Sequence, residues 1–219
     1  MKINYHYSSP NYNNRPTGEN GRVRQIILHY TDTDDLKASL DILLSKECKV
    51  SAHYIIDVDG QVYELVSPDM RAWHAGISCW DNVENVNDYS IGIEIQNPGH
   101  KILQTADKLV HYPKIQIDAL LLLLKHLCDK YDINSSAVIG HSDIAPERKL
   151  DPGEHFPWDV LGENGFGIWP KPEVNFDNIL LLQYQLKNLG YNIPTHGTMD
   201  EQTWSVIDSF KRHFYPKLL

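Results

Sequence analysis

The sequence predicts an α/β fold, with strands and helices intermixed around one central sheet and a small all-helical domain after it. Two observations predict the first part. Short β-branched runs such as Val23–His29 and Ile91–Gln96 recur along the chain, and leucine-rich helical patterns stand between and after them. A third predicts the second part. Gly162–Phe176 is punctuated by glycine and proline like a linker, and only two helical patterns lie beyond it. The 219 residues, 42% of them apolar and 22% charged, suffice for one large domain with a small satellite. A chain of this size can build a core without disulfide staples.

Each element has its own signal. Residues 1–20 read as an extended polar arm rich in Asn, Ser, Tyr and Pro. Val23–His29 is an apolar run ending in a polar residue, hence a strand. Asp34 or Asp35 can cap a helix running to about Lys46, with Leu36, Leu40, Leu43 and Leu44 on one face. Ser51–Val58 and Gln61–Val66 flank Asp59-Gly60, a hairpin signature. Residues 69–90 read as loop. Ile91–Gln96 alternates like a strand, Pro113–Tyr131 is a strongly apolar helix, Ala137–His141 is a short strand, and residues 142–160 form a polar loop. Asn178–Leu189 and Asp200–Phe214 are the two satellite helices, expected to lean on their own few leucines and aromatics.

Composition excludes several classes. Twenty basic residues stand against 29 acidic ones, net −9, with no basic run, so nucleic acid is not an expected partner. The longest apolar run, Ala119–Leu124, is far short of the ~20 residues of a transmembrane segment. Residues 1–20 lack the apolar region of a secretory signal, which leaves open a cytoplasmic protein or a Met1 that is not the native start. The 3 cysteines form no CxxC pair and read as buried and reduced. Neither a Walker loop nor a Gly-x-Ser-x-Gly elbow is present.

The residues that can carry chemistry sit at strand ends. His29 and His141 each close a strand, and Asp151 follows across a proline-bearing loop. Two imidazoles and a carboxylate form a frequent catalytic zinc set with a fourth position for water, but structural histidines in a hydrogen-bonded loop fit the same spacing. Glu94 interrupts an isoleucine strand. Alternation places it with Gly92 on one face, which suggests open space before a general base; a salt-bridged glutamate on a half-exposed strand is the other reading. Lys149 could steady an oxyanion beside such a site, or simply be solvated. His53 and His74 could line a cleft.

Together these segments resemble the zinc N-acetylmuramoyl-L-alanine amidases of the AmpD-like type. The resemblance rests on Ile26-Ile27-Leu28-His29-Tyr30-Thr31, Val50-Ser51-Ala52-His53-Tyr54 and Arg71-Ala72-Trp73-His74-Ala75-Gly76. It continues through Ser90–Asn97, Gly140–Pro146 and Arg148–Gly153, in the family's order across residues 23–158. Ser9–Asn13 and Trp169-Pro170 resemble the larger, two-module AmiD-type members. Leu182–Leu186, Leu189-Gly190-Tyr191, Gly197–Asp200, Thr203 and Phe210–Phe214 resemble a helical peptidoglycan-binding module, with Lys211 departing from the glutamine common there.

The resemblance implies a central mixed β-sheet flanked by helices over residues 1–170 and a peptidoglycan-binding domain over 177–219. It implies one Zn²⁺ held by His29, His141 and Asp151, with Glu94 as acid/base and Lys149 as oxyanion partner. His53, Trp73, His74 and Asn97 are expected to line the substrate groove. Relatives that use a tyrosine in the second motif and a cysteine as third ligand differ from this chain, which has Ala52 and Asp151 there. The implied reaction is hydrolysis of the amide between the lactyl group of N-acetylmuramic acid and L-alanine of stem peptides. The implied partners are peptidoglycan or muropeptides, in the bacterial cell envelope or periplasm. A non-catalytic peptidoglycan sensor on the same fold is the alternative. Deleting residues 177–219 is expected to spare small muropeptides and to weaken attack on intact wall.

Overall fold

The computed structural model describes residues 2–100, 111–168 and 170–219, so Trp169 of the expected exit motif lies outside the described residues. In chain order the strands are β1 (Ile3–Asn4), β2 (Tyr12–Asn14), β3 (Gln25–Tyr30), β4 (Tyr54–Ile56), β5 (Val62–Glu64), β6 (Met70–Ala72), β7 (Cys79–Trp80), β8 (Val83–Glu84), β9 (Ser90–Ile95) and β10 (Val138–Gly140). The helices are α1 (Leu36–Leu43), α2 (Lys114–Tyr131), α3 (His141–Ile144), α4 (Trp158–Glu163), α5 (Ile179–Leu189) and α6 (Glu201–Phe214). The main sheet runs β1-β5-β4-β9-β3-β10 and is mixed: β4 and β5 pair antiparallel, the other neighbours parallel.

Parallel strands bury both faces, and the residues of β3 and β9 divide accordingly. Ile26, Leu28, Ile91, Ile93 and Ile95 face α2, whose Ile117, Leu120, Leu124 and Leu127 recur at helical spacing. The opposite face carries Ile27 and His29 on β3, and Gly92 and Glu94 on β9. Near β4 and β5 that face is covered by α1, whose Leu40 and Leu43 pack on Ile55 and Leu65. Near β3 and β10 it is covered by the C-terminal helices.

That covering corrects the expectation of a self-supporting satellite. Leu182, Leu186, Tyr191, Val206, Phe210 and Phe214 form one apolar cluster with Ile27, Ile139, Ile144 and Trp80. A β-carbon on Gly190 would stand 2.3 Å from the Trp80 ring, so glycine is what lets the end of α5 meet that indole. Two amphipathic helices cannot enclose a core alone, and these use the sheet as their third layer.

Local chemistry sets the boundaries. Asp35, rather than Asp34, caps α1 by accepting from Ala38 N at 2.8 Å. The helix ends at Leu43, short of the expected Lys46. The hairpin turns over a three-residue loop, with Gly60 N bonded to Asp57 O and Gly60 in the left-handed region at φ +82°. The arm is not free: β1 extends the sheet edge along β5, and β2 pairs with β6 inside the stretch expected to be loop. Arg15 fastens it, donating to the carbonyls of Pro68, Asn87, Asp88 and Ser90. The three cysteines are free, but Cys48 is exposed, contrary to expectation. Among the described residues no helix is long and apolar enough to cross a membrane.

Candidate active site

Register builds the centre. In the parallel β3/β9 pair His29 stands directly opposite Glu94, on the same sheet face. β10 lies on the other side of β3, and His141 opens α3 one residue beyond that strand. The loop after α3 returns so that Ser142 N bonds to Asp151 O at 2.9 Å, placing Asp151 against both histidines. His29 Nδ1, His141 Nδ1 and Asp151 Oδ2 lie 2.9–3.0 Å from one another. They are the one group of potential metal ligands found among the described residues.

The hydrogen bonds around this trio assign its protons. His141 Nε2 faces the Ala75 carbonyl at 3.0 Å and the Arg148 guanidinium at 3.3 Å, and with Nε2 so engaged Nδ1 is the nitrogen turned to the trio. Ser90 Oγ donates to Val86 O at 2.6 Å and therefore accepts from His74 Nε2 at 3.2 Å. His74 Nδ1 then accepts from His29 Nε2 at 3.0 Å, which turns His29 Nδ1 to the trio. Burial pushes His29 down to about 4 and His74 well below the usual imidazole value, so both are neutral at pH 7. Burial alone would raise Asp151, but the two imidazoles outweigh it and hold the carboxylate ionised. Two imidazole nitrogens and a carboxylate oxygen thus converge in a buried site. Two imidazole nitrogens with a carboxylate oxygen could hold a divalent transition metal with an open position.

Glu94 lies beside the trio. Its Oε2 is buried without a partner. Burial, reinforced by the Asp151 charge and opposed by Lys149, pushes its carboxyl well above the ordinary value. Gly92 is not what opens space before it: a β-carbon there would stand 2.3 Å from the His74 ring. Gly92 makes room for the imidazole that orients His29, rather than for substrate.

A cleft of about 470 Å³ opens over these groups. Its lining includes His29, His141, Asp151, Glu94, Lys149 and Trp73, with Ile42, Val50 and Leu150 as apolar walls. Lys149 and Trp73 both border the cleft, and His74 borders it while bonded to His29. His53 does not line it. That ring is fully buried, accepting from Gly92 N at 2.9 Å through Nδ1, with Nε2 facing Met70 O and Arg15. Asn97 is also buried, and its Oδ1 accepts from Gly99 N to shape the turn after β9. Both corrections have one cause: a polar side chain at the end of a buried strand is claimed by nearby backbone groups before any ligand.

Arg148 was missed. It donates to the carbonyls of Ala75 and Ile77, clamping the loop whose Ala75 oxygen fixes His141. Ser90 was missed too. Its hydroxyl is worth reading only after His74 is known to stand behind a ligand.

Comparison with known proteins agrees with this geometry. Residues 19–154 match the N-acetylmuramoyl-L-alanine amidase family Amidase_2. The chain is 37% identical over 216 residues to the N-acetylmuramoyl-L-alanine amidase AmiD of Escherichia coli, covering 90% of this chain and 76% of that protein. It is 34% identical to the 1,6-anhydro-N-acetylmuramyl-L-alanine amidase AmpD of Citrobacter freundii, covering 68% of this chain and 83% of that protein. The fold matches Escherichia coli AmiD in complex with the substrate anhydro-N-acetylmuramic acid-L-Ala-D-γ-Glu-L-Lys, with a TM-score of 0.76 and 32% identity, over 93% of this chain and 85% of that one. It also matches AmpDh3 of Pseudomonas aeruginosa with a TM-score of 0.72 and 34% identity, over 93% and 87% of the two chains. With an α/β fold, a histidine–histidine–aspartate centre and a flanking glutamate, the chain belongs to the N-acetylmuramoyl-L-alanine amidase family and is an enzyme of that class.

Proposed function

We propose that this amidase uses Zn²⁺, held by His29, His141 and Asp151, to cleave the amide between the lactyl group of N-acetylmuramic acid and L-alanine of the stem peptide. The observation that carries the reading is the meeting of three potential ligand atoms with the unpartnered oxygen of Glu94 on the neighbouring strand. Zinc in such a donor set supplies a Lewis acid that brings the pKa of water from ~15.7 toward ~7. The remaining steps belong to the protein. Glu94, whose burial makes its carboxylate a stronger base than usual, accepts the proton of the attacking water. It then delivers that proton to the alanine nitrogen, which cannot leave as an amide anion. Such transfer contributes about 10²- to 10⁴-fold. Lys149 stands on the cleft wall, where its ammonium can meet the developing oxyanion; one such donor contributes about 3–4 kcal/mol. Trp73, Ile42, Val50 and Leu150 offer apolar surface to the substrate on either side.

Residues 177–219 are assigned a second role, holding insoluble peptidoglycan. Leu180, Leu181 and Tyr184 on α5 and Trp204 on α6 are exposed and available for it. An envelope location goes with that role.

The test uses metal-stripped protein, with and without restored zinc, on purified sacculi and on defined anhydro and non-anhydro muropeptides, with products identified by mass. Free stem peptide released only with zinc supports the reading. Substrate bound but uncut, with zinc in place, refutes it in favour of a sensor. Cleavage between sugars refutes it in favour of a glycosidase.

A further inference from the structure

The C-terminal helices reach the ligand segment through one buried carboxylate. Asp143 is 1% exposed and lies in α3 just past His141. Its Oδ2 accepts from Gly140 N at 2.8 Å and faces His213 Nδ1 at 2.7 Å. Its Oδ1 accepts from Tyr191 OH at 2.6 Å and from Ser209 Oγ at 3.4 Å. Burial and the nearby Asp143 charge push the Tyr191 phenol well up, so it remains a donor. The His213 ring stacks on Trp158 at 3.7 Å, which holds it in line with the carboxylate. Three of the four donors thus come from the C-terminal segment. The fourth is the peptide N–H immediately before the ligand His141.

Gly140 is a tight junction as well. A β-carbon there would stand 2.8 Å from Pro152 Cδ, beside the ligand Asp151, and 3.2 Å from Asp143 Oδ2. The turn that aims His141 is therefore wedged between the loop carrying Asp151 and the carboxylate held by α6. A buried carboxylate without donors is costly and would turn toward water, releasing the Gly140 N–H it fixes.

We infer that Tyr191, Ser209 and His213 are positioning residues for His141, acting through Asp143, so that residues 177–219 form part of the scaffold of the metal centre. The inference rests on the reading of His29, His141 and Asp151 as metal ligands. It reverses the expectation for the truncated chain: loss of residues 177–219 lowers turnover of small soluble muropeptides too, besides any loss on intact wall.

The full chain decides it. Metal-stripped protein is titrated with Co²⁺, read by its visible absorption band, and with Zn²⁺ against a chromophoric chelator. kcat and KM are measured on a small soluble muropeptide, and melting is followed by circular dichroism. His213→Ala is expected to weaken metal binding about tenfold or more, the range for groups that orient ligands. It should also alter the Co²⁺ band and lower kcat with little change in KM. His213→Asn, whose amide can donate to Asp143, is expected to recover much of the loss. Tyr191→Phe, which removes only a hydroxyl, is expected to shift metal affinity the same way by a smaller factor. Val206→Ala opens a cavity in the same interface without removing a donor to Asp143 and is expected to lower melting while leaving affinity and spectrum unchanged. If His213→Ala does not fold, Tyr191→Phe against Val206→Ala carries the decision. Tyr191→Phe and a folded His213→Ala with wild-type affinity and spectrum would overturn the inference while leaving the metal reading intact. A wild-type chain that takes up neither ion overturns both.

Discussion

Two pairs of buried histidines lie close together at the sheet. His29 and His141 are each 2% exposed, His53 is 0% and His74 is 9%. All four rings are buried, yet only the first pair turns a nitrogen to Asp151. His141 sets its Nε2 against Ala75 O and His29 sets its own against His74, so each turns Nδ1 toward Asp151 and can offer it to a metal. His74 spends both nitrogens inside the relay from His29 to Ser90, and His53 spends both on Gly92, Met70 and Arg15. Burial therefore does not distinguish a ligand from a structural histidine; the partner of the second nitrogen does.

The largest effect that tests this comparison is loss of a ligand. His29→Ala and Asp151→Ala are each expected to abolish stoichiometric zinc and turnover together, read by elemental analysis and stem-peptide release. Full activity in either variant would remove the trio from the chemistry. Glu94→Gln comes next. It keeps the shape of the side chain and leaves the ligands untouched, so zinc should remain while turnover falls about 10²- to 10⁴-fold. Loss of zinc along with turnover would instead make Glu94 part of the metal's support. In the native chain the raised Glu94 pKa also gives the rate a sign with pH: turnover falls as pH drops through that raised value, because the base is then already protonated. The Glu94→Gln profile should lack that limb.

Much of this centre was legible before the fold was known. His29 and His141 stood at strand ends, and Glu94 stood out as a carboxylate among isoleucines. What the sequence could not show was register. The pairing of Glu94 with His29 depends on two strands set in parallel by the whole sheet, and no local pattern encodes it. The short strands β1, β2, β6, β7 and β8 were missed because two or three residues cannot display an alternation. The C-terminal core was misjudged for a related reason. The apolar spacing of α5 and α6 shows that they bury a face, not that the covering surface is Ile27, Ile139 and Trp80 of the sheet layer. Asp143 sat within a quoted motif, but its partners Tyr191 and His213 lie 48 and 70 residues away.

A smaller effect separates ligand from orienting group. His74→Ala removes the acceptor that fixes His29 and leaves all three ligands in place. Zinc affinity should fall about 10- to 100-fold, with activity recovered at high zinc. An unchanged affinity would show that packing alone holds the His29 ring.

The smallest expected effect on the metal comes from His53, whose ring takes no part in the relay. His53→Ala should leave zinc affinity at the wild-type value and lower stability by about 1–3 kcal/mol, because the buried Gly92 N–H loses its acceptor. A pH signature accompanies it in the metal-free protein. Burial, with Arg15 close by, lowers His53 to about 3, below the ~6.5 of an unfolded histidine. From about pH 6.5 down toward 3 the unfolded chain therefore binds a proton at this position that the folded chain refuses. Stability from this group is complete above pH 6.5 and declines as pH falls, by up to ~1.4 kcal/mol per unit. Removing the imidazole should flatten the acid limb of the stability curve by one proton's slope, measured by denaturant unfolding between pH 4 and 7. His29 and His74 would keep the rest of that limb, since both are lowered in the same direction. A curve equally steep without His53 would mean that its ring is protonated in the folded chain, and the contrast between the two histidine pairs would then rest on the relay alone.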